Sequence, residues 1–175
     1  MDRRDFLLGM SAILGCSVPS LDVAALESAL KFSGQSTGFL RDIELSYVSR
    51  IADTIIPETD TPSASQVGVA DYIDFYLHDF LPARQAQQFV LGLHGMTGSM
   101  QEFLTLSVDR QLAVIQDLDD RLDTDQENST FKKLKELVVI GYYTSQAGAT
   151  QALGYDPIPG PYKEIKLAEV GRAWL

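Results

Sequence analysis

Residues 131–162 read FKKLKELVVIGYYTSQAGATQALGYDPIPGPY, and the first half of that stretch decides the fold. Phe131, Leu134, Leu137 and Val138 recur at the spacing of one helix face, with Lys132, Lys133, Lys135 and Glu136 between them. The segment therefore opens as an amphipathic helix with a wet side. From residue 137 to residue 143 the polarity disappears, because Leu-Val-Val-Ile-Gly-Tyr-Tyr carries no charge. A helix that is apolar all round must be covered on all sides, by its own core or by a partner. Gly141 within this run costs a helix ~1 kcal/mol against Ala and permits close approach by another backbone. Past Gly148 the helix should falter, and Pro157, Pro159 and Pro161 then remove donors and fix φ, so the end of the stretch is an irregular arm.

Working upstream, the same periodicity predicts more helices. Residues 43–56 place Leu45, Val48, Ala52 and Ile55 on one face with Ile51 beside them, and Pro57 stops the helix by disfavouring helical geometry in the residue before it. A polar loop with Pro62 follows. Residues 69–80 put Val69, Ile73, Tyr76, Leu77 and Phe80 on a stripe, with Asp71 and Asp74 near the positive end of the helix dipole. Pro82 suits the first turn of a helix reaching about Leu104, faced by Phe89, Leu93, Met96, Met100 and Phe103, with a break expected between Gly95 and Gly98. Ser107 is placed to cap a further helix with Val108, Leu112, Ile115, Leu118 and Leu122 inward, and Ser129 or Thr130 to cap the long one. No segment alternates with period two. The fold class is all-α: a compact bundle of about five helices with a proline-rich C-terminal arm.

The N-terminus reads as an address. Arg3 and Arg4 stand ahead of Phe6 and Leu7, and an apolar run follows to about Val18, too short to cross a ~30 Å hydrocarbon core as an ordinary helix. The pattern resembles a twin-arginine export signal, cleavable or flexible, which is read by a receptor rather than acting as an anchor. Cys16 ends an Ile-Leu-Gly-Cys run similar to a lipoprotein box, so lipidation there is the lesser alternative to a discarded or buried thiol. Residues 19–38 are expected to be a linker ending in a Ser/Gly-rich tether, and residues 39–175 a single domain.

With 175 residues and 45% hydrophobic content, the chain can bury one sizeable core. Its formal net charge of −10 argues against nucleic acid and anionic membrane surfaces. One cysteine excludes an internal disulfide framework. There is no glycine-rich nucleotide fingerprint, phosphate loop, haem-attachment motif or Cys/His metal pattern, so no catalytic, cofactor or metal residue is assigned. His78 lies one turn after Asp74, a spacing that can bring an imidazole and a carboxylate together, though a surface pair is far commoner than an acid–base couple. His94 has no carboxylate nearby at helical spacing and reads as a helix-end or packing residue. Asp117, Asp119, Asp120, Asp123 and Asp125 read as a solvated charge run.

What remains is a surface built to be covered. Gly141, Tyr142, Tyr143, Tyr155, Pro157, Pro159, Tyr162 and Trp174 are expected to form a partner interface, because aromatic residues are enriched at interfaces and stiff loops lose little entropy on docking.

Two motifs carry a resemblance. Gly141-Tyr-Tyr-Thr-Ser145, Gly148-Ala149, Leu153-Gly-Tyr-Asp-Pro157 and Pro159-Gly-Pro-Tyr162 resemble the C-terminal signature of the gluconate 2-dehydrogenase subunit 3 family. Ile51-Ala-Asp-Thr-Ile-Ile-Pro57, continuing through Thr61-Pro62 to Gly68-Val69, resembles its N-terminal signature, and Gly171-Arg-Ala-Trp174 its usual tail. The resemblance implies a small, non-catalytic subunit of a periplasmic, FAD-dependent sugar, sugar-acid or alcohol dehydrogenase. In such complexes FAD and the active site belong to a glucose-methanol-choline-type flavoprotein, and a membrane-bound cytochrome c subunit with haem c often accepts the electrons. The small subunit is expected to accompany the flavoprotein through the twin-arginine machinery and to stabilise it. Two alternatives are an export escort for another redox enzyme and a free-standing periplasmic enzyme using His78 and Asp74.

Overall fold

The computed structural model describes residues 36–122 and 129–154. They form six α-helices: α1 (Asp42–Ile55), α2 (Val69–Asp79), α3 (Ala83–Met96), α4 (Met100–Thr105), α5 (Val108–Asp120) and α6 (Ser129–Thr144), followed by a π-helical turn at Gly148–Ala152. Among the described residues there is no strand, in keeping with the all-α expectation. The export signal at Arg3, Arg4, Phe6 and Leu7, Cys16 and most of the expected linker lie outside the described residues. So do Tyr155, Pro157, Pro159, Tyr162 and Trp174 of the C-terminal arm.

Helix boundaries follow the local chemistry. Glu44 reaches back to accept the Arg41 backbone N–H at 2.9 Å, closing the first turn of α1. Ile56 leaves helical geometry immediately ahead of Pro57. The helix expected over 82–104 is two helices, because Gly98 adopts φ +83° and Ser99 restarts the chain as N-cap, its Oγ accepting from Glu102 N at 3.3 Å. Ser107 stands at the N-cap position of α5 but makes no side-chain capping bond.

α1 is the central strut, packed by α2, α4, α5 and α6; α6 in turn packs on α2, α3 and α5. Tyr47, Ile51, Ile73, Leu77, Leu93, Phe103, Leu134, Leu137 and Tyr142 are the large side chains fully removed from water where these helices meet. Each such side chain contributes ~1.5–3 kcal/mol through burial. Three inward assignments differ from the sequence expectation. On α5 only Gln111, Ile115 and Leu118 are buried, whereas Val108 is 71% exposed and Leu112 half exposed. The amide of Gln111 donates to the Phe103 carbonyl at 2.9 Å, tying α5 to α4 by a polar bond where the apolar pattern pointed to Leu112. At the C-cap of α2, Phe80 is 41% exposed and stacked on Tyr76 with ring centres 5.8 Å apart, while Asp74 of α2 takes an inward position.

Candidate functional site: a joint between two motifs and the outer face of α6

The residues that open the chain's C-terminal motif are part of a structural joint. Gly141 faces α2 so closely that a Cβ on it would lie 2.6 Å from Cδ1 of Tyr72. Tyr142, 1% exposed, passes its hydroxyl under the α1–α2 loop, where it donates to the Pro62 carbonyl at 2.9 Å and meets Thr61 Oγ1 at 3.1 Å. Its own carbonyl accepts from Ser145 Oγ at 2.6 Å, and Ser145 Oγ accepts from Gly148 N at 3.0 Å. A Cβ on Gly148 would fall 2.0 Å from that same Tyr142 oxygen, so only glycine lets the chain turn there into the π-helical segment. The motif around residues 51–69 and the motif around 141–148 are therefore one object in space, joined through Tyr142.

Of the residues expected at a partner interface, the structure describes Gly141, Tyr142 and Tyr143. Gly141 and Tyr142 are spent inside the domain: the first is filled by Tyr72, the second by the Pro62 loop. Tyr143 alone of the three reaches the surface, 37% exposed. The uncharged run of 137–143 is likewise covered on one side only. Leu137, Val138, Gly141 and Tyr142 face the core, and Val139 and Ile140 stand exposed at 38% and 47%. Val139 and Ile140 form one wall of an open groove of about 410 Å³ whose other walls are Leu122, Lys132, Lys135 and Glu136.

Two carboxylates, Asp74 and Glu44, are buried among the described residues. Asp74 does not pair with His78. Its buried carboxylate instead collects the segment ahead of α1: Oδ2 accepts from Ser36 Oγ (2.8 Å), Thr37 N (2.5 Å), Thr37 Oγ1 (2.7 Å) and Gly38 N (3.1 Å), and Oδ1 from Leu40 N (2.6 Å). Burial pushes the Asp74 carboxyl up, but these donors outweigh it and hold the group below its ordinary value. Residues 36–38, at the end of the expected tether, are thus bound to α2. His78 pairs with its neighbour Asp79 at 2.5 Å on the surface, so the acid–base couple with Asp74 is not assembled.

Glu44 is the second hub, missed in the sequence reading. Its side chain, 3% exposed, meets His94 Nε2 of α3 at 2.7 Å and the Arg41 guanidinium at 2.6 Å. Burial raises the carboxyl, while hydrogen bonds from Arg41 and then His94 overcome it and bring the value to about 2. The signal for both hubs was present as an acidic residue at the spacing of an apolar face: Asp74 with Ala70 and Leu77, and Glu44 with Tyr47, Val48 and Ile51. Arg41 lies one turn before Glu44, within reach of spacing along one helix, whereas His94 and the donors to Asp74 lie on other segments that such spacing does not find. Among the described residues no helix is long and apolar enough to cross a membrane.

The chain belongs to the gluconate 2-dehydrogenase subunit 3 family, whose model matches residues 42–160. Comparison with curated proteins and with solved structures gave no match. The family match takes in α1 through the π-helical turn, the N-terminal motif and the C-terminal motif as far as Gly160; Pro161, Tyr162 and the resemblance at Gly171-Arg-Ala-Trp174 fall beyond it.

Proposed function

We propose that the chain is the non-catalytic small subunit of an exported, FAD-dependent dehydrogenase acting on a sugar, sugar acid or alcohol, and that it aids export and stability of a glucose-methanol-choline-type flavoprotein. The observation that carries this reading is the family match across the whole described bundle, since the family is that of a gluconate 2-dehydrogenase subunit. The exposed Val139, Ile140 and Tyr143 support it, because a helix face of this kind is stable in water only at a cost that a covering partner removes. In this reading FAD sits in the flavoprotein, a cytochrome c subunit carries haem c where one is present, and Arg3 and Arg4 direct the assembled pair to the twin-arginine route into the periplasm.

The test is fractionation of cells expressing the chain with its flavoprotein. Arg3→Lys/Arg4→Lys should leave both proteins in the cytoplasm, and deletion of the chain should lower the exported flavoprotein. Undiminished periplasmic flavoprotein in both strains contradicts the export role.

A further inference from the structure

Residues 36–40 read as the end of a tether, yet the structure fixes them as a strap across α2. Ser36, Thr37 and Gly38 stand at the surface, so apolar burial does not hold them. Five donors converge instead on the Asp74 carboxylate, which is wholly buried: the hydroxyls of Ser36 and Thr37 and the backbone N–H groups of Thr37, Gly38 and Leu40. Successive N–H groups aimed at one point form a cradle of the kind that binds anions, here filled by the chain's own carboxylate. At the strap's far end Leu40 is buried in the core, and half-buried Phe39 packs edge-on against His78 of α2 with ring centres 6.3 Å apart.

A protease takes its substrate as an extended strand paired through backbone N–H and C=O groups. At residues 37, 38 and 40 those N–H groups are committed to Asp74, so the strap presents no such strand while it is closed. We propose that Ser36–Leu40 is a strap buckled to α2 by Asp74, and that this buckle is the barrier at which proteolytic trimming from the N-terminal side stops. Peptide bonds within residues 36–40 are hydrolysed only in molecules whose strap has opened locally, with α1 still folded. The folded chain therefore keeps these residues, whatever is removed ahead of them. This holds whichever partner the chain has and whichever export route it uses.

The experiment digests the full chain with chymotrypsin under native conditions and follows two fragments by mass, with the melting temperature of each variant read alongside. One fragment begins at Leu40, after a cut behind Phe39. The other begins at Val48, after a cut behind Tyr47, a wholly buried residue of α1. The parent should release the Leu40 fragment slowly. Asp74→Asn puts an amide donor against the strap's own donors and should release that fragment about tenfold faster or more, because cleavage tracks the open population and a hydrogen bond to a carboxylate is worth about that factor. Ser36→Ala/Thr37→Val removes the two hydroxyl donors at exposed positions and leaves Asp74 and the core as they are. It should speed the same cut while melting near the parent, with the Leu40 fragment appearing well before the Val48 fragment. A parent cut behind Phe39 as fast as Asp74→Asn overturns the barrier. Leu40 and Val48 fragments that rise in step in the Ser36→Ala/Thr37→Val variant overturn it too, because the segment then opens only when the bundle does.

Discussion

Gly141 of α6 and Tyr72 of α2 are complementary shapes: the ring edge of Tyr72 occupies the volume that any side chain at position 141 would need, with Cδ1 2.6 Å from an ideal Cβ. The α2–α6 contact depends on that absence. Gly141→Leu should cost ~1–3 kcal/mol of folding stability through overpacking, outweighing the ~1 kcal/mol of helix propensity that leaving glycine returns. Denaturant unfolding of Gly141→Leu, Tyr72→Ala and the double variant measures it, and the double variant should recover part of the loss because the two sites share one space. Strict additivity contradicts the contact.

Tyr142 tests whether its place is the core or a partner surface. Tyr142→Phe removes the hydroxyl donated to the Pro62 carbonyl and keeps the buried ring, so it should cost ~1 kcal/mol in unfolding experiments. Capture of the flavoprotein should be unchanged. Parental stability with lost capture would place this tyrosine at the interface after all.

Asp74→Ala should be among the most damaging single changes. It leaves the buried Leu40 backbone donor without its acceptor and releases Thr37 and Gly38 from α2, a loss of roughly 2–4 kcal/mol. Amide exchange at these three residues should accelerate more than at the centre of α5, and unchanged exchange at all three contradicts the assignment of Asp74 as their anchor.

Acid sensitivity follows from Glu44. Its carboxyl is held at about 2 in the folded chain against an ordinary value of 4.5, so the folded state favours the ionised form. The stability this contributes, on the order of 3 kcal/mol, is fully present above about pH 4.5 and is lost as pH falls towards 2. Asp74, also held below its ordinary value, acts in the same direction. Glu44→Gln should lower stability at neutral pH and flatten the decline between pH 5 and 2; an acid limb of parental steepness in that variant contradicts the linkage.

The helices were legible because each carries its own period. The start of α1, the stop at Pro57, the break before Gly98 and the long helix α6 all follow from residues within a turn of the event. The joint was legible only as a motif. Nothing in the spacing of Tyr142 and Pro62 brings them together, and their meeting depends on the packing of α6 across α2. The same reason hid Asp74, whose donors come from residues 36–40, and the meeting of Glu44 with His94 of α3, while the Arg41–Glu44 pair lies within one turn of α1. Periodicity also misassigned Val108 and Leu112, because an apolar residue at the right register faces inward only where another helix lies over it, and α4 offers Gln111 a carbonyl instead. The outer face of α6 was visible as an uncharged run, but which half of it would stay exposed depended on Gly141 turning towards Tyr72.

The central claim is that this chain accompanies a flavoprotein and is not one itself. The absorption spectrum of the full chain, purified alone and then co-purified with its flavoprotein subunit, tests this most directly. The account predicts no flavin or haem bands and no dye-linked dehydrogenase activity for the chain alone, with flavin absorbance and activity appearing together in the complex. Stoichiometric flavin on the isolated chain would contradict it.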